Sequence, residues 1–144
     1  MMNPRILYLI KRAEIEVTSR MSRALERYKI TVTQFTVLYF VWHDKGDLSS
    51  AQLSRRFSMT PQSMNELISV LQRKKLLKKA VDPAHKRILR ISLTPAGRKL
   101  LKDGNAALDQ VEEQLLAGLN TTEKEKFREL VGRILTAGRD NYPR

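Results

Sequence analysis

The stretch from Leu48 to Leu93 constrains the fold of this 144-residue chain more than any other part of it. Two short segments with helical spacing of their apolar residues are followed at once by two β-like runs that flank residues 82–87. Eleven Lys/Arg and three Asp/Glu lie between Lys45 and Arg90, so this stretch holds +8 of a total net charge of +12. Two compact helices followed by a basic hairpin are typical of winged-helix domains that bind DNA.

Composition narrows the class of protein further. The length fits one domain with a core of its own, and a net charge of +12 predicts attraction to polyanions, nucleic acid first. The sequence contains no cysteine, which excludes disulfides and thiolate zinc sites. No apolar run approaches the ~20 residues that span a bilayer, and charges interrupt the first residues at Arg5, Lys11 and Arg12. We therefore expect a cytoplasmic protein that does not enter a membrane.

Apolar spacing and capping residues predict a mainly α-helical chain with one small β-hairpin. The predicted helices cover residues 5–28, 33–42, 51–57, 61–74, 95–117 and a last segment that carries Phe127 to Leu135, and the predicted strands cover 76–81 and 88–93. Residues 33–42 favour a strand by composition, but the spacing of their large apolar residues favours a buried helix. Gly104 lies inside a predicted helix, where its low helix propensity would allow a local bend.

Helix ends are marked by residues that cap helices. The predicted N-terminal signals are Asn3-Pro4, Ser49 or Ser50, Thr60-Pro61, Thr94-Pro95 and a capping box from Thr122 to Glu125, and Gly46 is the predicted C-terminal cap of the second helix. No repeat or low-complexity linker interrupts the chain. The sequence therefore predicts one architectural unit over residues 1–144.

Several segments in this order resemble the MarR family of winged helix-turn-helix transcriptional regulators. They are Thr33 followed by Val37-Leu38, the segment 48–53, the helix end 67–77, and above all Asp82-Pro83, Arg87 and Ile91-Ser-Leu-Thr-Pro-Ala-Gly97. The resemblance implies a homodimer in which residues 5–32 and 95–140 form dimerisation helices and residues 33–94 form the DNA-binding part. It also implies a pseudo-palindromic operator with half-site centres about 34 Å apart, and a repressor more often than an activator.

The resemblance implies that the helix 61–74 reads the major groove. Its candidate base-contacting residues are Gln62, Ser63, Asn65, Glu66 and Ser69, whose position favours this role over the alternative of an ordinary polar helix face. Glu66 could instead pair with Arg73 or Lys74. The candidate phosphate contacts are Arg55, Arg56, Arg73, Lys74 and Lys78, whose alternative role is a solvated surface.

The loop 82–87 would form the wing, where this chain departs from the family pattern. His85 stands where the family usually has an acid, and Lys86 stands where it usually has an arginine. By position Lys86 would enter the minor groove and Arg87 would pair with Asp82, although the two roles could be exchanged. Lysine lacks the planar fork of arginine, so insertion by Lys86 should be weaker. His85 is a candidate DNA contact.

Many relatives bind small, often aromatic or anionic compounds in an apolar cleft. The candidate lining residues here are Met21, Tyr28, Tyr39, Trp42 and Met64, and taken one by one each fits an ordinary core better than a ligand site. The sequence contains no catalytic constellation and no ligand spacing around its two histidines, so we expect no enzyme activity, metal or cofactor. The alternative function is a winged-helix module that binds a protein or an RNA without regulating an operator.

Overall fold

A computed structural model describes residues 3–45, 47–87 and 89–140 of the chain. Its elements are α1 (Ile6–Leu25) with a short 3-10 turn (Glu26–Tyr28), α2 (Val32–His43), α3 (Ser50–Arg56), α4 (Pro61–Arg73), β1 (Leu77–Val81), β2 (Leu89–Leu93), α5 (Pro95–Leu115) and α6 (Thr121–Asp140). The described residues form two compact units, which divide between Asp109 and Gln110. No helix of the described ranges combines the length and the apolar character that crossing a membrane requires. The predicted mainly α-helical fold with a hairpin is confirmed.

Capping side chains fix where the helices of the first unit begin. The Thr31 hydroxyl accepts a hydrogen bond from the backbone N–H of Gln34 at 3.1 Å, and the Ser49 and Thr60 hydroxyls do the same for α3 and α4. Pro61 opens α4 because it has no N–H to leave unpaired at the first helical position. The helix predicted at 33–42 is confirmed, since its large apolar residues pack into the core on several sides and burial outweighs their strand propensity.

The core of the first unit lies between α2, α3, α4 and the hairpin. Its fully buried residues include Leu25, Val37, Leu38, Leu53, Met64, Ile68, Leu71 and Ile91. Each such side chain contributes about 1.5–3 kcal/mol relative to exposure, which is enough to hold the short α3 against α4. One face of α4 is therefore fixed in the core, and its opposite face is left for solvent or a partner.

The two strands pair in antiparallel fashion, with Leu77 opposite Leu93 and Ala80 opposite Arg90. The backbone N–H of Ile91 also donates to the carbonyl oxygen of Leu48 at 3.3 Å, so β2 is joined to the segment ahead of α3. Because side chains alternate along a strand, Ile91 and Leu93 face the core. The predicted loop begins at Asp82 and extends from the hairpin beyond the core.

Two predicted helix starts are wrong. α1 begins at Ile6 after Arg5, because Asn3 lies too far ahead of the first turn to reach its backbone N–H groups. The last helix is capped by Asn120 and Glu123, which exchange hydrogen bonds of 2.8 and 2.9 Å, and not by Thr122 and Glu125. Asparagine caps at least as well as threonine, and Asn120 offers the same spacing two residues earlier. Gly46 and Ile88 lie outside the described residues.

Among the residues that the structure describes, four other than glycine adopt the left-handed backbone conformation. Lys29, Lys45, Ser58 and Lys75 have φ angles of 53°, 54°, 50° and 59°. They follow the 3-10 turn, α2, α3 and α4, where the chain must leave a helix abruptly. The amide of Lys75, for example, donates to the carbonyl oxygen of Gln72 at 2.9 Å.

Candidate nucleic-acid interface

The outer face of α4 presents a continuous stripe of side chains, all but one of them polar, which we call the polar stripe. Its members recur every three or four residues and line one shallow groove along the helix: Gln62, Asn65, Glu66, Ser69, Val70 and Arg73. Three residues on the opposite face, Met64, Ile68 and Leu71, are fully buried and fix the rotation of α4, so the stripe faces outward. The structure thus brings four of the five predicted base-contacting residues together. It adds Val70, whose small apolar side chain could contact a thymine methyl group.

Two of these predicted residues are held by neighbouring hydroxyl groups. The Ser50 hydroxyl at the start of α3 donates to Asn65 Oδ1, which fixes the amide relative to the helix-turn-helix. Ser63 lies off the stripe, and its hydroxyl accepts a hydrogen bond of 2.9 Å from the hydroxyl of Thr60. Ser63 therefore belongs to the capping structure of α4. The Ser50–Asn65 contact joins residues fifteen positions apart, and local sequence patterns gave no sign of it.

The predicted phosphate contacts fall into two groups. Arg55, Arg73 and Lys78 are exposed around the helix-turn-helix and the base of the hairpin. Arg56 is instead engaged by two neighbouring side chains, because its Nη1 lies 2.5 Å from Asp44 Oδ2 and its guanidinium stacks 4.9 Å from the centre of the Phe40 ring.

Lys74 belongs to the second group. Its Nζ donates to the carbonyl oxygen of Lys29 at 2.8 Å and to Gln34 Oε1 at 3.3 Å. These bonds tie the end of α4 to the start of α2, so Lys74 has an architectural role that the sequence did not indicate.

The predicted pairing of Asp82 with Arg87 or Lys86 is wrong. Asp82 Oδ2 accepts a hydrogen bond of 2.9 Å from Nε of Arg90, and its Oδ1 accepts one of 2.9 Å from the backbone N–H of Ala84. The hairpin register explains the choice of partner. Ala80 lies opposite Arg90, so Asp82, two residues beyond Ala80, faces the same side of the ladder as Arg90.

Asp82 is a buried carboxylate at the base of the wing. The hydrogen bond from the Ala84 amide, followed by that from Arg90, holds the pKa of Asp82 below its ordinary value. Asp82 therefore stabilises the wing in its ionised form. His85, Lys86 and Arg87 follow it and are all exposed, so three adjacent side chains of the loop are accessible to a polyanion.

The five candidate cleft residues are not equivalent. Met64 is fully buried in the core, and Met21 and Tyr28 are half-buried, with the Tyr28 hydroxyl donating to the carbonyl oxygen of Asp103 at 3.1 Å. Tyr39 and Trp42 are exposed on α2, and their ring centres lie 6.0 Å apart. Within residues 3–45, 47–87 and 89–140, no group of three or more acidic or histidine side chains could hold a metal ion.

The sequence of this chain is similar to those of known transcriptional regulators. Residues 28–88 match the family described as the MarR family. The HTH-type transcriptional repressor Rv2887 of Mycobacterium tuberculosis is 28% identical over 127 residues, which are 88% of this chain and 91% of that protein.

Two crystal structures share the fold. The DNA complex of MepR from S. aureus has a TM-score of 0.78 and 25% identity, covering 92% of this chain and 96% of the other. M. tuberculosis Rv2887 in complex with salicylic acid has a TM-score of 0.74 and 26% identity, covering 92% and 97%.

Proposed function

This chain belongs to the MarR family, and from that premise we propose that it is a transcriptional regulator that binds a specific duplex DNA sequence as a homodimer. The observation that carries the proposal is the polar stripe of α4, which the core fixes outward beside a wing with an exposed Lys86 and Arg87. The stripe would read base edges in the major groove while the wing reaches the adjacent minor groove. MepR, which shares the fold, has been crystallised on DNA.

Exposed apolar side chains support the homodimer. Five consecutive residues of α1, from Ile6 to Ile10, are between 46% and 72% exposed in the single chain. In α6, Phe127, Leu130, Val131, Ile134 and Leu135 are exposed at helical spacing. Stable monomers rarely expose apolar stretches of this extent, so we infer that both helices are covered by a second copy of the chain.

We further propose that a small aromatic anion controls DNA binding. Rv2887 has been crystallised with salicylic acid and with p-aminosalicylic acid. Tyr39 and Trp42 are the exposed aromatic side chains of α2 that could contact such a ligand. A ligand that changed the separation of the two recognition helices would stop them from entering successive grooves together. Because the relatives are regulators, we propose a cytoplasmic protein with no enzyme activity.

The proposal is tested by selection from a pool of random-sequence duplexes. We expect enrichment of a palindromic sequence with half-sites about one helical turn apart, and an affinity that falls steeply with salt. A pool with no enriched sequence would refute the operator-binding regulator. Capture of an RNA or a protein without duplex selectivity would favour the alternative interaction module.

The ligand is tested on the selected duplex by titration with salicylate. We expect release of DNA from the parent chain and a weaker response from a Trp42→Phe, Tyr39→Ala variant that still binds the duplex. An equal response of both proteins would remove α2 from the ligand site.

A further inference from the structure

Arg90 joins the wing to the segment that leads into the helix-turn-helix. Its Nε donates to Asp82 Oδ2 at 2.9 Å, and its Nη1 donates to the carbonyl oxygen of Asp47 at 2.5 Å and lies 2.9 Å from Asp47 Oδ1. Asp82 opens the wing loop, whereas Asp47 lies between α2 and α3. One guanidinium group therefore spans two elements that are 35 positions apart in the chain.

We call the contacts of Arg90 with Asp82 and Asp47 the Arg90 joint. Two further hydrogen bonds support this joint. The backbone N–H of Ile91, next to Arg90, donates to the carbonyl oxygen of Leu48, next to Asp47. On the wing side, Asp82 also accepts from the backbone N–H of Ala84, which orients the chain as it enters the loop. A displacement of Arg90 would therefore loosen the loop that carries Lys86 and Arg87.

The charges around Arg90 distinguish it from the other basic residues of this surface. It lies between the carboxylates of Asp82 and Asp47, and its side chain is only 30% exposed. Lys86 and Arg87, in contrast, are exposed at the loop. A DNA phosphate would have to displace a carboxylate from Arg90, and pairs of this kind that share several hydrogen bonds are the strong ones.

We propose that Arg90 is a positioning residue for DNA binding. It keeps the wing loop in the position from which Lys86 and Arg87 reach the minor groove, and it does not itself contact DNA. This inference rests on the proposed function, because it assigns a role within DNA binding. It differs from the family pattern, in which an arginine of the loop itself pairs with the aspartate.

A double-mutant cycle tests the inference on the duplex that the parent chain selects. Arg90→Gln should weaken binding about tenfold, and Lys86→Ala with Arg87→Ala should weaken it by a similar factor or more. Adding Arg90→Gln to the loop variant should then change the affinity less than twofold, because Arg90 acts only through these side chains. Losses that multiply would mean that Arg90 contacts DNA directly, and would overturn the inference.

A second substitution distinguishes positioning from simple electrostatics by the direction in which it changes the affinity for DNA. Asp82→Asn removes a negative charge from a DNA-binding surface, which by charge alone should strengthen binding. Our inference predicts a severalfold weaker binding, since the neutral Asn side chain cannot form the ion pair that Asp82 makes with Arg90. The control is Asp103→Asn on α5, an exposed acid paired with Lys99, which should not weaken binding. Tighter binding by Asp82→Asn would contradict the inference.

Amide hydrogen exchange tests the joint without DNA. Arg90→Gln should raise the exchange rate of the Ala84 amide and of the β1–β2 ladder while amides of α4 stay protected, and Arg90→Lys should restore part of the protection. Unchanged exchange in Arg90→Gln would refute the joint even if the protein binds an operator. Faster exchange in a protein that selects no duplex would instead refute the proposed function and leave only the structural joint.

Discussion

Gly97 lies where the start of α5 meets the start of the hairpin, and no larger residue fits there. A Cβ atom at this position would lie 2.2 Å from the carbonyl oxygen of Leu76, about 1 Å closer than carbon and oxygen approach each other in proteins. The clash is with backbone, so a side-chain rotation cannot relieve it. The same oxygen accepts the backbone N–H of Thr94 at 3.1 Å.

Gly97→Ala must therefore separate α5 from the hairpin. Overpacking of this kind destabilises by about 1–3 kcal/mol, and the strained Thr94–Leu76 hydrogen bond adds about 1 kcal/mol. Alanine returns about 1 kcal/mol through its higher helix propensity. We expect a net loss of about 1–3 kcal/mol, which for a chain of this size corresponds to a fall in Tm of about 2–4 °C per kcal/mol.

Urea unfolding measures this loss as a lower midpoint with an unchanged slope. The matched control is Gly132→Ala in α6, where an added Cβ meets no atom within 4 Å and where helix propensity alone predicts a gain of up to about 1 kcal/mol. If Gly97→Ala is as stable as the parent chain, the close approach of α5 to Leu76 is wrong.

Three further predictions concern the packing of Gly104, the ionisation of Asp82 and the two basic residues of the wing. Gly104→Ala should lower the free energy of unfolding by about 0–2 kcal/mol despite its better helix propensity, because its Cβ would lie 2.3 Å from the Phe35 ring; a clear gain in urea unfolding would contradict that packing. Because the pKa of Asp82 is lowered in the folded protein, its ionised form stabilises the fold above the unfolded pKa of about 3.9, and this stabilisation is lost as pH falls through the lower folded value. Asp82→Asn should therefore make the free energy of unfolding depend less on acid pH. An unchanged dependence of this free energy on pH would contradict the stabilising role of Asp82. Lys86→Ala and Arg87→Ala should each reduce the slope of log K against log salt by about one, and a slope equal to that of the parent would exclude phosphate or groove contact at that residue.

Local signals predicted most of the fold because helix ends and strand alternation are decided by near neighbours. Thr60-Pro61 and Ser49 act as caps as expected, since each bonds an amide three residues away. The residues of α4 also fall on one face as their spacing requires. These features need no knowledge of the rest of the chain.

The features that sequence did not predict depend on contacts between distant segments. Arg90 displaces Arg87 as the partner of Asp82 because the hairpin register and Asp47 favour it, and neither is visible as a local pattern. Gly104 lies within α5, and its missing Cβ makes room for the ring of Phe35, 69 positions away, a contact that no local pattern contains. Propensity scales describe a residue and its neighbours, so they cannot contain such packing.

At three of the residues with left-handed backbone, a substitution that stabilises the fold would also weaken the affinity for polyanions. Lys29, Lys45 and Lys75 adopt a conformation that an L-residue enters at about 1–2 kcal/mol and glycine enters freely. Glycine at all three positions should make the protein more heat-resistant, and it would also remove three of its +12 charges. A thermostabilised variant made in this way would bind any polyanion less tightly. An engineer who wants both properties must leave these three lysines in place and seek stability elsewhere.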